Sequence, residues 1–195
     1  MVNDRDLILA STSPFRKKQL QELEINFKAI APNFNEEEFK TDQIKPHDLV
    51  KLLAKGKASS LQVEYPHSYI IGSDQLVNFN GEVLGKTASA EQATNQLMKL
   101  SGYPHELLTA ICLVTPERIF EHVDITTIFI RKLEKDLAEE YVKKHETWNC
   151  AGAYKIECQP ALIIEKLQTQ DPTSIIGLPT FTLVSWLKAL QVKST

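Results

Sequence analysis

Short apolar runs alternate along the chain with amphipathic stretches of helical period, the pattern of an α/β protein. Leu7-Ile8-Leu9-Ala10 reads as a short buried strand. It stops at Ser11-Thr12-Ser13, and Pro14 stands at a favourable first helical position. Ser13 is then the natural N-cap of a helix whose apolar stripe continues through Leu20 and Leu23. Phe27 to Ala31 predicts a second strand, closed by Pro32, and Pro46 opens a helix carrying Leu49, Leu52, Leu53 and Ala54. Tyr69-Ile70-Ile71 predicts a buried strand that runs out into Gly72-Ser73-Asp74. Asn80-Gly81, between Leu76–Phe79 and Glu82–Leu84, signals a hairpin with a type I′ turn. A helix follows from Ser89 or Ala90 to Leu100. Strands are expected at His105–Val114 and Glu121–Ile130, paired across Thr115–Arg118. Glu134–Lys144 reads as a helix with Leu137 and Tyr141 on its apolar face, and His145–Glu157 as a polar and aromatic loop. Leu162–Ile164 is expected as a strand and Gln168–Pro172 as a loop. The pattern ends in a helix after Pro179 with Phe181, Val184, Leu187 and Leu190 on one face. No repeat or linker-like shift interrupts the pattern, so residues 1–195 are read as a single domain.

Composition narrows the function class. With 43% hydrophobic and 24% charged residues, the chain is ordinary for a globular protein. A net charge of −3 with no basic stripe argues against nucleic acid as partner, although an anionic small molecule can be met by a few local cations. Cys112, Cys150 and Cys158 are odd in number and lack metal-ligand spacing, which suggests reduced thiols in a reducing compartment. Asp4, Arg5 and Asp6 precede the first strand, so no signal-peptide run is read; no stretch reaches membrane-span length, and a cytoplasmic location is expected.

Three stretches carry candidate chemistry. The strand-to-helix passage at Ser11-Thr12-Ser13-Pro14-Phe15-Arg16 presents hydroxyls, backbone donors, a positive dipole end and a guanidinium, which together suit an anion. The same residues also describe an ordinary capped helix with a solvated basic face. Asp74, at the expected strand end, could serve as metal ligand, general base or turn residue. Lys86, after the hairpin, would fold back beside it; that pair reads either as catalytic or as a surface salt bridge. Glu36-Glu37-Glu38 reads as a solvated acidic loop, Lys55 and Lys57 as solvent charges near a helix C-terminus, and the isolated His105 and His122 as structural or exposed.

Taken together, Leu9-Ala10-Ser11-Thr12-Ser13-Pro14-x-Arg16, Gly72-Ser73-Asp74-Gln75, Gly85-Lys86, Ala151-Gly152-Ala153-Tyr154 and Gly177-Leu178-Pro179 stand in an order that resembles the Maf family of nucleoside triphosphate pyrophosphatases. The resemblance spans about Leu7 to Leu190. It implies an inosine-triphosphatase-like fold: a mixed twisted sheet flanked by helices, two lobes around a cleft. Phe15, Gln75, Cys150-Ala151-Gly152 and Asp171-Pro172-Thr173 make the chain most similar to the 7-methyl-GTP pyrophosphatase branch.

The resemblance implies hydrolysis between the α- and β-phosphates of a nucleoside triphosphate substrate, with a divalent cation (Mg²⁺ or Mn²⁺) and a homodimer. It gives Asp74 the catalytic carboxylate role and Phe15, Gln75 and Glu157 the choice of base. Ser11, Ser13 and Arg16 would hold the triphosphate, Glu36 and Asp74 would ligate the metal, and Lys57 and Lys86 would neutralise the leaving pyrophosphate. Three departures from the family pattern stand out: Asn35 in place of an aspartate, Thr87 in place of a proline, and Cys158-Gln159-Pro160 in place of a glycine-containing run. Two other readings compete, a broad or dTTP/UTP-preferring house-cleaning pyrophosphatase and a non-catalytic nucleotide-binding regulator of cell division.

Overall fold

A computed structural model describes residues 5–39 and 43–192. Seven strands form one mixed sheet: β1 (Leu7–Ala10), β2 (Lys28–Ile30), β3 (Tyr69–Phe79), β4 (Glu82–Leu84), β5 (Pro104–Val114), β6 (Ile119–Ile130) and β7 (Ile164–Gln168). The order across the sheet is β2-β1-β3-β5-β6-β7, with β4 added to β3. β1 runs parallel to β2 and β3, whereas β4 is antiparallel to β3 and β7 to β6. Among the described residues five α-helices accompany the sheet: α1 (Pro14–Glu22), α2 (Pro46–Ser59), α3 (Ala90–Leu100), α4 (Lys135–His145) and α5 (Thr180–Ala189).

The chain divides into two compact units, one formed by residues up to 75, 109–124 and those from 171 onward, the other by 76–108 and 125–170. In the first unit all four β1 residues are buried, because helices cover both faces of a parallel strand. Leu7 and Leu9 join Tyr69, Ile71, Ile111 and Leu113 under Leu20 of α1 and Leu183 and Leu187 of α5. Burying such a set of aliphatic side chains contributes roughly 1.5–3 kcal/mol each. The second unit holds the β3–β4 hairpin, whose Asn80 and Gly81 both take positive φ, as the type I′ turn requires. α3 begins at Ser89, whose hydroxyl accepts from the Gln92 amide.

Several element boundaries differ from the sequence reading. β3 does not end at Gly72-Ser73-Asp74 but continues to Phe79, so Asp74 is a mid-strand residue rather than a turn residue. The last β1–β3 pairing joins Leu9 to Ile71, and β4 first pairs at Val77, which leaves Asp74 beyond the end of β1 within an unbroken strand. Pro160–Leu162 is a 3₁₀ turn, and β7 starts only at Ile164 and runs through Gln168. Gln159 reaches φ +48° before Pro160, and this turn is what the apolar run disguised. On α5 the buried positions are Thr180, Leu183 and Leu187, whereas Phe181 is exposed. Leu187 is buried and Leu190 packs against the same core as expected, whereas at the start of the helix Thr180 and Leu183, not Phe181 and Val184, take the buried positions.

Candidate active site

Alternation along β3 sorts its residues between two neighbours. Ile71 lies in the α1–α5 core. Ser73, two residues on, donates from its hydroxyl to the Gly177 carbonyl (2.7 Å), and Gln75 donates to the carbonyls of Ser174 (3.0 Å) and Ile175 (3.2 Å). The opposite face of β3 carries Gly72 and Asp74 toward α2. A Cβ at Gly72 would stand 2.7 Å from the Ala58 nitrogen and closer still to the Ala54 carbonyl oxygen. Only glycine therefore lets the α2 backbone press onto the strand.

That approach brings Lys57, in the last turn of α2, against Asp74. The ammonium lies 2.5 Å from Asp74 Oδ1 and 2.8 Å from Glu36 Oε1, and Lys57 and Asp74 are both buried. A second glycine admits Glu36. A Cβ at Gly56 would enter the ring of Phe34, so its absence seats Phe34 on α2, and Phe34 stacks on Phe39 at the far end of the 3₁₀ turn Glu36–Phe39. Asn35 precedes this turn. Its Oδ1 accepts from the Glu37 amide (3.3 Å), and its Nδ2 donates to Glu38 (2.7 Å), a bond that an aspartate here could not make. Lys57 is thus a buried bridge between two carboxylates, not the solvent charge expected from its place in the helix. Glu36 is likewise engaged rather than merely solvated.

The β1–α1 passage lies in the same unit. Ser11 Oγ accepts from the Ser13 amide (3.1 Å), and Ser13 caps α1 by accepting from the Arg16 amide (3.4 Å). Arg16 Nε donates to the Gly177 carbonyl at 2.8 Å, one of the five N–H donors of its guanidinium. Burial pushes its pKa below the usual value, opposed by the negative charges of Asp74 and Glu36; a guanidinium still remains charged. Gly177 itself has φ +121°, and a side chain there would meet Arg16. Phe15 is 45% exposed on the first turn of α1, with its ring available to a ligand.

The second unit contains Lys86 and Glu157, both exposed. The hairpin pairing ends at Val77–Leu84, with Lys86 two residues beyond it. Glu157 occupies a turn closed by the Cys158 amide on the Lys155 carbonyl (3.1 Å). Tyr141 fastens this turn, its hydroxyl within 3.0 Å of the carbonyl oxygens of Lys155 and Cys158. Gly152, at φ +72°, lets Tyr154 fold inward to meet His105 Nε2 at 2.8 Å. His105 is buried, with its pKa lowered to about 4 by desolvation, so it is a neutral structural residue.

Sequence reasoning missed the groups that hold the site. Gly56 inside a helix was the available signal, since such a glycine marks a close packing partner. Thr109 carried none. Gln19 carried a weak one as a buried polar residue in the α1 stripe; it donates to the carbonyls of Thr173 (2.8 Å) and Leu178 (3.1 Å).

The model of the Maf-like protein family matches residues 6–190. The chain belongs to the Maf family. Among its relatives is a 7-methyl-GTP pyrophosphatase of Bdellovibrio bacteriovorus, 38% identical over 92% of this chain and 94% of the relative. One of the same name from Aliivibrio fischeri is 37% identical over 93% and 94%. A solved structure of a HAM1 protein from Coxiella burnetii, 16% identical, covers 95% of this Maf-family chain and 99% of its own with a TM-score of 0.51, a likeness of fold.

Proposed function

We propose that this Maf-family chain is a nucleoside triphosphate pyrophosphatase that cleaves the α–β phosphate bond, with 7-methyl-GTP as preferred substrate and 7-methyl-GMP and pyrophosphate as products. The observation that carries the reading is the Lys57 ammonium bridging Asp74 and Glu36 in the unit that also holds the Ser11–Arg16 passage. The names of the curated relatives support the substrate.

Among the described residues no group of three or more His, Cys, Asp and Glu side chains could hold a metal ion. Two carboxylates nevertheless suit Mg²⁺ or Mn²⁺, because Mg²⁺ at such sites takes one or two carboxylates and fills its shell with substrate phosphates and water. A single ammonium already reaches both Glu36 and Asp74, so one small cation could do the same. When bound, the metal would neutralise phosphate charge.

The remaining roles fall to side chains. The α1 N-terminus, with the Ser11 and Ser13 hydroxyls and the Arg16 guanidinium, binds phosphate oxygens. Asp74 accepts the proton of the attacking water as the phosphorus–oxygen bond to pyrophosphate breaks. Lys57 holds Asp74 in place and offsets charge on the leaving pyrophosphate. Phe15 stacks on the base, whose positive charge in 7-methylguanine strengthens the contact, and Gln75 reads its edge.

Pyrophosphate release from 7-methyl-GTP, GTP, dTTP, UTP and CTP with Mg²⁺ or Mn²⁺ tests the proposal. The expected outcome is a preference for 7-methyl-GTP and its loss in Asp74→Asn. Turnover centred on dTTP or UTP would refute the substrate, and a folded, nucleotide-binding protein without turnover would refute the enzyme.

A further inference from the structure

Gln75 is surrounded by acceptors on one side. Its Nε2 lies 3.0 Å from Thr109 Oγ1, 3.0 Å from the Ser174 carbonyl and 3.2 Å from the Ile175 carbonyl. The carbonyl oxygens can only accept. Thr109 is fully buried on β5, and its own hydroxyl hydrogen goes to the Ser174 carbonyl (3.0 Å), so toward Gln75 it too accepts. Three neighbours therefore demand a donor, and only the NH₂ end of the amide meets that demand. Ser174 is held in turn, its hydroxyl 2.5 Å from Asp124 Oδ2 and 2.7 Å from the Asp171 carbonyl. The result is a polar chain from the buried Asp124, Ser174 and Thr109 to the half-buried Gln75, all within one compact unit.

We infer that Thr109 is a positioning residue for substrate choice: together with the Ser174 and Ile175 carbonyls it accepts from Gln75 Nε2 and holds the side-chain amide so that Gln75 offers a ligand its carbonyl oxygen. This rests on the reading of Gln75 as a base-selecting residue and deepens it. Gln75 then acts as an acceptor and selects an N–H donor on the base edge. A freely rotating glutamine would present either end and discriminate less, because a site that fixes one hydrogen-bond sense leaves a buried polar atom unpaired against the wrong partner. A guanine edge supplies adjacent N–H donors, whereas a uracil edge sets its single N–H between two carbonyl oxygens that would face the Gln75 oxygen unfavourably.

The test measures kcat and KM for 7-methyl-GTP and UTP in the wild type, Thr109→Val, Thr109→Ser, Gln75→Leu and the Thr109→Val/Gln75→Leu double variant. Alongside, the ¹⁵N-resolved NMR signals of the Gln75 side-chain NH₂ are followed in the first three. In the wild type those amide protons are expected to exchange slowly. Thr109→Val, which keeps the side-chain shape, should speed their exchange and lower the 7-methyl-GTP/UTP preference by roughly 3- to 10-fold, the loss of one hydrogen bond. The change should fall mainly on KM, Thr109→Ser should restore both readouts, and in the Gln75→Leu background Thr109→Val should leave the ratio unaltered. An equal loss for both nucleotides in Thr109→Val, as a merely structural role would give, overturns the inference. So does an unchanged ratio in Thr109→Val where Gln75→Leu alters it; in that case the base-selecting role of Gln75 stands. If Gln75→Leu itself leaves the ratio unchanged, the base-selecting role falls and the inference falls with it.

Discussion

Gly72→Ala is the most direct probe of how the fold builds this site. The added methyl carbon would stand 2.7 Å from the Ala58 nitrogen, against about 3.5 Å for an unstrained contact. It would be closer still to the Ala54 carbonyl oxygen. Both obstacles are backbone, so no rotamer change relieves them, and strand and helix must separate by about 1 Å. Overpacking of this kind costs about 1–3 kcal/mol, and the rigid surroundings argue for the upper end. For a chain of this size that corresponds to a melting temperature lowered by roughly 6–12 °C. The same movement carries Lys57 away from Asp74, and a displacement of about 1 Å at a reacting centre costs on the order of 10²-fold in kcat/KM. Gly56→Ala provides the contrast. Its methyl would meet the ring of Phe34, a side chain that can rotate away, so the fold should suffer less while the segment bearing Glu36 loses its seat. Gly85→Ala, with no atom within 4 Å of the new methyl, serves as the stability control. Thermal melts and pyrophosphate release on the three variants decide the matter. A Gly72→Ala protein that melts within 2 °C of wild type and keeps its turnover would refute the close-approach account.

Lys57→Met leaves two carboxylates facing one another without their shared cation, and removing one partner of a buried ion pair costs about 3–5 kcal/mol. Urea denaturation should show that loss, and a change under 1 kcal/mol would mean the bridge contributes little. His105 makes stability pH-dependent in a defined direction. Its folded pKa of about 4 lies below the ordinary 6.5, so between these values the unfolded chain binds the extra proton and stability falls as pH falls. The contribution between pH 7 and pH 5 is roughly 2 kcal/mol, measurable as a difference in denaturation slope against His105→Leu; equal slopes would refute it. Among the three thiols, burial pushes Cys112 up to about 12, whereas Cys150 and Cys158 are partly exposed. A thiol reagent at pH 8 should therefore modify two cysteines in the native protein and all three in denaturant, and rapid native labelling of Cys112 would contradict its burial.

Local signals carried most of the element order. The Ser13 cap, the Asn80-Gly81 turn and the Ser89 cap are each specified within a few residues, and each is where the pattern puts it. The strand across Asp74 was misread because Gly-Ser-Asp is ordinary turn chemistry; what keeps it extended is non-local, namely Ser73 bonding Gly177 and Gln75 bonding Ser174 about a hundred residues away. Lys57 was misread for a related reason. A lysine in the last turn of a helix is usually solvated, and within its own helix only Gly56 signals a close packing partner; nothing there shows that Gly72 draws a strand onto that turn. The chemistry-bearing residues could be named from motif order, but their pairing could not, because it is decided by residues with no side chain at all. The cluster of Lys57, Asp74 and Glu36 is therefore expected to tolerate substitution less well at these two glycines than at any neighbouring polar position. Removing atoms elsewhere can be compensated by solvent, whereas adding one here pushes apart the two backbones that hold the site together.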